Sequence, residues 1–231
     1  MLDYGLTEEQ EAIRELAKTI ADEQIRPVAA EYDVSGEFPW PIVNKMAEVD
    51  LFGILVPEEY GGFGGTITMN MVLVTEELSK ACGGTALAFA GTALGVLPII
   101  ISGSPELKER FLPAVASGER LCAFAITEPG AGSDAGGVRT TAIRDGDHYV
   151  LNGTKQWITN AGEAEIYTVV ALTKPEKGPR GASVLVVEKD TPGFTFGKKE
   201  DKMGIRASAT RELHFEDCRV PVENLLGREG T

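Results

Sequence analysis

Along the first half of the chain, apolar residues recur every three or four positions; from Leu121 onward they recur every second position. The first pattern predicts helices. In LTEEQEAIRELAKTIADEQI, Thr7 and Gln10 have the spacing of a capping box, and Ile13, Leu16, Ala17 and Ile20 fall on one face. A second helix is predicted from Pro41 to Val49, and a third with Thr68 as its cap, running to a stop at Gly83-Gly84. The next, TALAFAGTALGVLPIII from Thr85 to Ile101, is apolar all round, as a helix buried all round should be. The last has Ser104 as cap, Pro105 in the first turn and Gly118 beyond its end.

The second pattern predicts strands. GVRTTAIRDGDHYVLNG reads as a hairpin turning at Asp145-Gly146. KQWITN, IYTVVALT, ASVLVVEK, FTFGKK and ELHFED continue the series between Gly, Pro and charged turns. Short strands at this spacing make an antiparallel barrel or sandwich, not alternating strand–helix units. The predicted class is therefore α+β and multi-domain, with an α-helical bundle over residues 1–120 and an antiparallel β-barrel over 121–231.

Composition narrows the partners. A chain of 231 residues can bury a substantial core, and its net charge of −13 disfavours nucleic acid or anionic lipid as a partner held by a general field. An anionic ligand would have to be held by local donors. Cys82, Cys122 and Cys218 lie far apart, and with only His148 and His214 beside them there is no metal-binding set. They read as buried thiols of a reducing compartment. The opening MLDYGLTEEQ lacks the apolar core of a leader, and the run from Thr85 to Ile101 is short for a membrane span and broken by Gly, Thr and Pro. A soluble, cytoplasmic protein without membrane contact is the expectation.

The stretch TEPGAGSDAGG, Thr127 to Gly137, is dense in glycine. Within it, Gly130 to Ala135 satisfies the G-x-G-x-x-G/A pattern of dinucleotide folds. That fingerprint has a mechanism only where the loop opens a helix facing a pyrophosphate. Here the following pattern is that of a strand, so the dinucleotide-fold reading fails. The loop joins two strands. Its successive amides, with the Thr127 and Ser133 hydroxyls, make either a nest for a phosphate or flavin carbonyl, or a plain tight turn.

Three longer stretches settle on a resemblance: AFAITEPGAGSDAGG, YVLNGTKQWITNAGEAEIYTVVA and DTPGFTFGKKEDKMGIRASATRELHFEDCRVPVENLLGREG. With LTEEQEAIRELAKTIADEQIRPVAAEYD and LFGILVPEEYGGFGG in the first half, they resemble the acyl-CoA dehydrogenase family over essentially the whole chain. The phrase GKKEDKMGIR leans towards the short-chain, butyryl-CoA branch. The resemblance implies an FAD enzyme that removes hydrogens from Cα and Cβ of an acyl-CoA thioester. It also implies an electron-transferring flavoprotein as acceptor and a homotetrameric intact enzyme.

By the same resemblance, Phe124, Ala125, Ile126, Thr127, Glu128, Pro129, Gly130, Ala131, Gly132 and Ser133 match the family's flavin-binding strand and loop. Thr127 would meet the pyrimidine end of the flavin, and Ser133 would also lie beside the CoA chain. Trp157, Ile158 and Thr159 match a second flavin contact, with the Thr159 hydroxyl at N5 and Trp157 over the ring. Ala86 and Ala90 match positions at the far end of the acyl pocket. Without the resemblance, Trp157 alternating with Ile158 reads as ordinary barrel core and Thr159 as an ordinary strand residue. The family's catalytic glutamate belongs to a C-terminal four-helix domain that this sequence does not contain, so no catalytic residue is assigned; Glu128 and Asp134 match no family base. Two other readings stand beside this one: a flavin oxidase of the same fold, and a non-catalytic interaction module built from the same two domains.

Overall fold

The structure, a computed structural model, describes residues 5–230; Met1 to Tyr4, on which the leader reading partly rests, and Thr231 lie outside them. Among the described residues six α-helices come first: α1 (Glu8–Ile20), α2 (Ala29–Ser35), α3 (Trp40–Glu48), α4 (Ile67–Ala81), α5 (Gly83–Ser102) and α6 (Pro105–Ala116). Thr7 caps α1 as its spacing predicts, accepting from the Gln10 N–H at 3.2 Å while Gln10 accepts from the Thr7 N–H at 3.1 Å. Ile13, Ala17 and Ile20 are buried, and a single π-helical turn, Ala21–Ile25, carries the buried face on to Ala21 and Ile25. Leu16, at the margin of that face, is exposed.

Two helix starts differ from the sequence reading. α4 begins at Ile67 with Thr66, not Thr68, in the cap position, because the chain already winds at Gly65 and the Asn70 N–H bonds the Thr66 carbonyl at 3.0 Å. Gly83 and Gly84 do not separate two helices; they form the first turn of α5, and the break is the one extended residue Cys82. Cys82 is half-buried, unlike the buried Cys122 and Cys218, and all three thiols are free.

The strands are β1 (Cys122–Ala125), β2 (Thr141–Asp145), β3 (His148–Thr159), β4 (Ile166–Leu172), β5 (Ala182–Glu188), β6 (Phe194–Phe196), β7 (Thr210–Pro221) and β8 (Leu225–Leu226). They form one sheet in the order β6-β7-β3-β2-β4-β5-β8, with β1 paired on β4. The helical-then-β architecture stands, but the sheet is mixed rather than purely antiparallel. β1 runs parallel to β4, and β2 meets β4 in parallel at Thr141 and Leu172. The cause is chain routing: between β1 and β4 the chain makes a whole excursion through a loop and the β2–β3 hairpin. That hairpin forms, but one residue later than predicted: Asp145 is still paired, opposite His148, and the two turn residues are Gly146 and Asp147, because Gly146 supplies the positive φ (63°) at the first turn position. Among the described residues no ladder joins the β6 and β8 edges.

α5 is the joint between the two halves. By length and composition it could cross a membrane, with a hydropathy of 1.9. Here it packs against α4 and α6 on one side and β1, β3 and β4 on the other. Its small residues permit that approach: a Cβ on Gly95 would lie 2.6 Å from the Ala123 N, and one on Gly91 2.8 Å from Asn160 Nδ2. Two buried polar side chains bridge the seam. Thr168 donates to the Gly95 carbonyl at 3.0 Å. Asn160 Nδ2 lies within bonding distance of Ala88 O (3.0 Å), Thr92 Oγ1 (3.3 Å) and Cys122 O (3.2 Å). Asn160 also holds a left-handed backbone, φ 63°, which asparagine tolerates better than most residues.

Replacing Asn160 by alanine should therefore destabilise the chain by on the order of 2 kcal/mol, from lost buried hydrogen bonds and the unfavourable φ. Urea denaturation checks this; an unchanged midpoint would show that the amide bridge is dispensable.

Candidate functional site

The loop after β1 is built as an arch with tied feet. At one foot, Glu128 and Ala131 exchange backbone hydrogen bonds (2.9 and 3.1 Å). At the other, the N–H groups of Arg139 and Thr140 donate to the Glu128 carboxylate at 2.7 and 3.0 Å. Ala131 is buried against Val138 and Leu172, which fixes the inner side of the arch. No helix opens from it; a short 3-10 turn, Ala135–Gly137, leads to β2. The outer side carries exposed Pro129, Gly130, Gly132 and Ser133, while Phe124, Ile126 and Thr127 are half-buried and Ala125 is buried. The N–H groups of Gly130, Gly132 and Ser133 have no backbone partner among the described residues. Neither Gly130 nor Gly132 needs to be glycine for the chain's own sake: neither has a positive φ, and a Cβ on either would meet nothing within 4 Å.

Beside the arch, β3 carries a bulge. Its register on β7 shifts between Lys155 and Ile158. Up to that point the buried side chains are Tyr149, Leu151 and Lys155, at odd positions; after it the buried residue is Ile158. The bulge turns Trp157 outward, 55 % exposed with φ 59°, and Ile158 into the core. Of the alternatives for Trp157, the structure excludes barrel core. The Gln156 N–H donates to the Thr127 carbonyl at 2.8 Å, so the two predicted segments lie side by side.

Thr159, next along, lines an apolar groove between α4 and α5, with a volume of about 440 Å³, where it lies against Gly91. Met71, Val72 and Thr75 line one wall, and Leu87, Ala90 and Leu94 the other. Ala90 is on this lining, but Ala86 is not: it is 1 % exposed and packs into the core. The pairing of the two alanines on one pocket wall is thus corrected, because the groove-facing stripe of α5 runs through Leu87, Ala90, Gly91 and Leu94. Glu76 also borders the groove, paired with Lys80 at 2.9 Å, and the hydrogen bond from Lys80 holds its carboxyl below the ordinary value.

The sequence reading missed Lys155. Its side chain is fully buried, and Nζ donates to Glu128 at 2.7 Å and to the Ile126 carbonyl at 3.0 Å. The signal was present: Lys155 has the inward parity of Tyr149 and Leu151, and a lysine there demands a buried partner. Burial opposes ionisation of Glu128, but the bonds from Lys155, Thr140 and Arg139 outweigh it and hold the carboxyl below its ordinary 4.5.

Family models match over two spans: an acyl-CoA dehydrogenase N-terminal domain over residues 7–119 and an acyl-CoA dehydrogenase middle domain over 123–218. The chain belongs to the acyl-CoA dehydrogenase family. It is 44 % identical over 230 residues to an acyl-CoA dehydrogenase of Clostridium acetobutylicum described as short-chain specific, covering 99 % of this chain and 60 % of that protein. Among solved structures, butyryl-CoA dehydrogenase from Megasphaera elsdenii superposes with a TM-score of 0.95 at 41 % identity, covering 99 % of this chain and 61 % of that one. An acyl-CoA dehydrogenase from Bacillus anthracis, complexed with FAD, superposes with a TM-score of 0.87 at 39 % identity, covering 100 % of this chain and 39 % of that one. The acyl-CoA dehydrogenase family binds FAD. The chain spans about three-fifths of the length of the curated relatives it matches.

Glu128 makes the arch pH-sensitive. Because its folded pKa is depressed, its contribution is present above the ordinary carboxylate value and is lost as pH falls through the lower folded value. Glu128→Gln leaves the Lys155 charge buried without its counter-charge and should cost on the order of 3 kcal/mol at neutral pH. The gap to wild type should shrink as the medium is acidified below 4.5. Urea midpoints at a series of pH values check this; a gap constant down to pH ~3 would mean that Glu128 is not the titrating group.

Proposed function

We propose that this chain forms the flavin- and acyl-binding part of a dehydrogenase acting on an acyl-CoA thioester, short-chain substrates first, with electrons passing on to an electron-transferring flavoprotein. One observation carries the reading: a loop with unpartnered outward donors and an apolar groove lie on either side of Trp157 to Thr159. The residues present fit a flavin. The space over Gly130 and Gly132 that a Cβ would fill is free for a ligand, and a tryptophan is held outward beside it in a left-handed conformation. When bound, FAD supplies a two-electron acceptor for the hydrogen leaving Cβ.

The chain's own residues do the rest. Thr127 and the loop amides would donate to the flavin carbonyl end, where negative charge gathers on reduction. Trp157 would cover the ring, and the Thr159 hydroxyl would donate at its edge beside the groove. The groove residues Leu87, Ala90 and Leu94 would hold the acyl chain and exclude water from the reacting carbons. Removal of the α-proton needs a free base within hydrogen-bond reach. Glu128 is spent on Lys155 and the loop amides, and Glu76 on Lys80. The base therefore comes from outside these residues.

Titration of the purified chain with FAD should quench the emission of exposed Trp157, and Trp157→Phe should abolish most of the quench, since Trp40 is half-buried with its indole N–H bonded to Glu163. Thr159→Ala should weaken FAD binding several-fold, the loss of about 1 kcal/mol, with little change in thermal unfolding. Calorimetric titration reads the first and a melting curve the second; an unchanged affinity would remove Thr159 from the site. Residues 1–231 loaded with FAD should give no turnover of butyryl-CoA with an artificial acceptor, because positioned base catalysis is worth roughly 10²–10⁴-fold. Steady turnover would place the base within this chain.

A further inference from the structure

Lys155 is fully buried, yet a buried ion pair adds little stability over well-packed apolar residues. What sets it apart is where it points. Its Nζ donates to the Ile126 carbonyl at 3.0 Å and to the Glu128 carboxylate at 2.7 Å, so it holds both chain neighbours of Thr127. The carbonyl of Thr127 itself accepts from the N–H of Gln156, the residue after Lys155, at 2.8 Å. By contrast, the Thr127 N–H and hydroxyl have no partner among the described residues. The Ile126 carbonyl, the Thr127 carbonyl and the Glu128 carboxylate are thus tied to the protein, and the two donors of half-buried Thr127 are left for a ligand.

We propose that Lys155 is a positioning residue of the flavin site: with Glu128 as counter-charge, it clamps the chain on both sides of Thr127 and aims the Thr127 N–H and hydroxyl at the flavin. This rests on the flavin reading above. The physical gain is preorganisation, since a donor fixed before binding loses no freedom when the ligand arrives. It also serves reduction, because fixed donors stabilise charge without rearranging as that charge develops.

The test compares the wild-type chain with Glu128→Gln/Lys155→Met, which removes both charges and so strands neither in the core. FAD affinity is read by Trp157 quenching, the fold by thermal unfolding, and the potential of the bound flavin against a reference dye. The double variant should unfold near the wild-type temperature, bind FAD at least tenfold more weakly, and hold it at a more negative potential. Equal affinity and equal potential in the two proteins overturn the role of Lys155 and leave the flavin reading intact. Failure of the wild-type chain to bind FAD overturns that reading and this inference with it. If the double variant does not fold, Glu128→Asp keeps the counter-charge one methylene shorter. At a temperature where that variant is fully folded its FAD affinity should fall several-fold; wild-type affinity there overturns the clamp.

Discussion

One side-chain amide holds the two halves of this protein in register. Asn160 sits just past the end of β3, buried, and its amide nitrogen reaches the backbone of α5 and of β1 together with the Thr92 hydroxyl. Helix, first strand and third strand thus meet at a single donor group. The approach is close enough that α5 can carry no side chain at Gly91. A polar contact of this kind is directional where apolar packing is not, so it fixes the rotation of α5 as well as its distance. The groove stripe Leu87, Ala90 and Leu94 faces α4 because the opposite stripe is committed to the sheet.

From that joint the candidate site follows in two steps. The residue before Asn160, Thr159, lines the groove beside Gly91, and the bulge just before it presents Trp157 to solvent. The strand that carries both also carries Lys155, whose ion pair ties down the glycine-rich arch. The apolar groove, the exposed tryptophan and the glycine-rich loop are therefore all referenced to five consecutive residues of β3. Such a site gains its precision from a strand, with the exposed irregular backbone confined to the outer rim of one loop.

Much of this was legible in the sequence, and the misses have physical causes. The change from a helical to an alternating period placed the helices before the strands, and the family wording picked out two segments that the Gln156–Thr127 hydrogen bond brings side by side. The parallel β1–β4 pairing was not legible, because alternation reports which face is buried and says nothing of which strand lies alongside. The start of α5 was misplaced because a Gly-Gly pair is usually a stop; here a Cβ on Gly84 would sit 3.1 Å from the Ala207 Cβ, so close packing accounts for it. Ala86 was matched by position to the far end of the acyl pocket, but it is buried in the core and does not line the groove. The parity of Trp157 could not be settled without the bulge, since a single extra residue exchanges inside for outside.

The central position of α5 also has a consequence for how the protein is made. Its twenty residues leave the ribosome before β1, β3 and β4, which cover one whole side of it and follow later in the sequence. From Ser102 to the end of β4 at Leu172 is roughly 70 further residues, on the order of ten seconds of synthesis. Throughout that interval the nascent chain displays an oily helix of membrane-spanning length with only its helical neighbours to shield it. Lipid, chaperones and other nascent chains compete for that face until the sheet closes over it. The yield of native protein is therefore set by the order of emergence from the ribosome as well as by the stability of the finished fold.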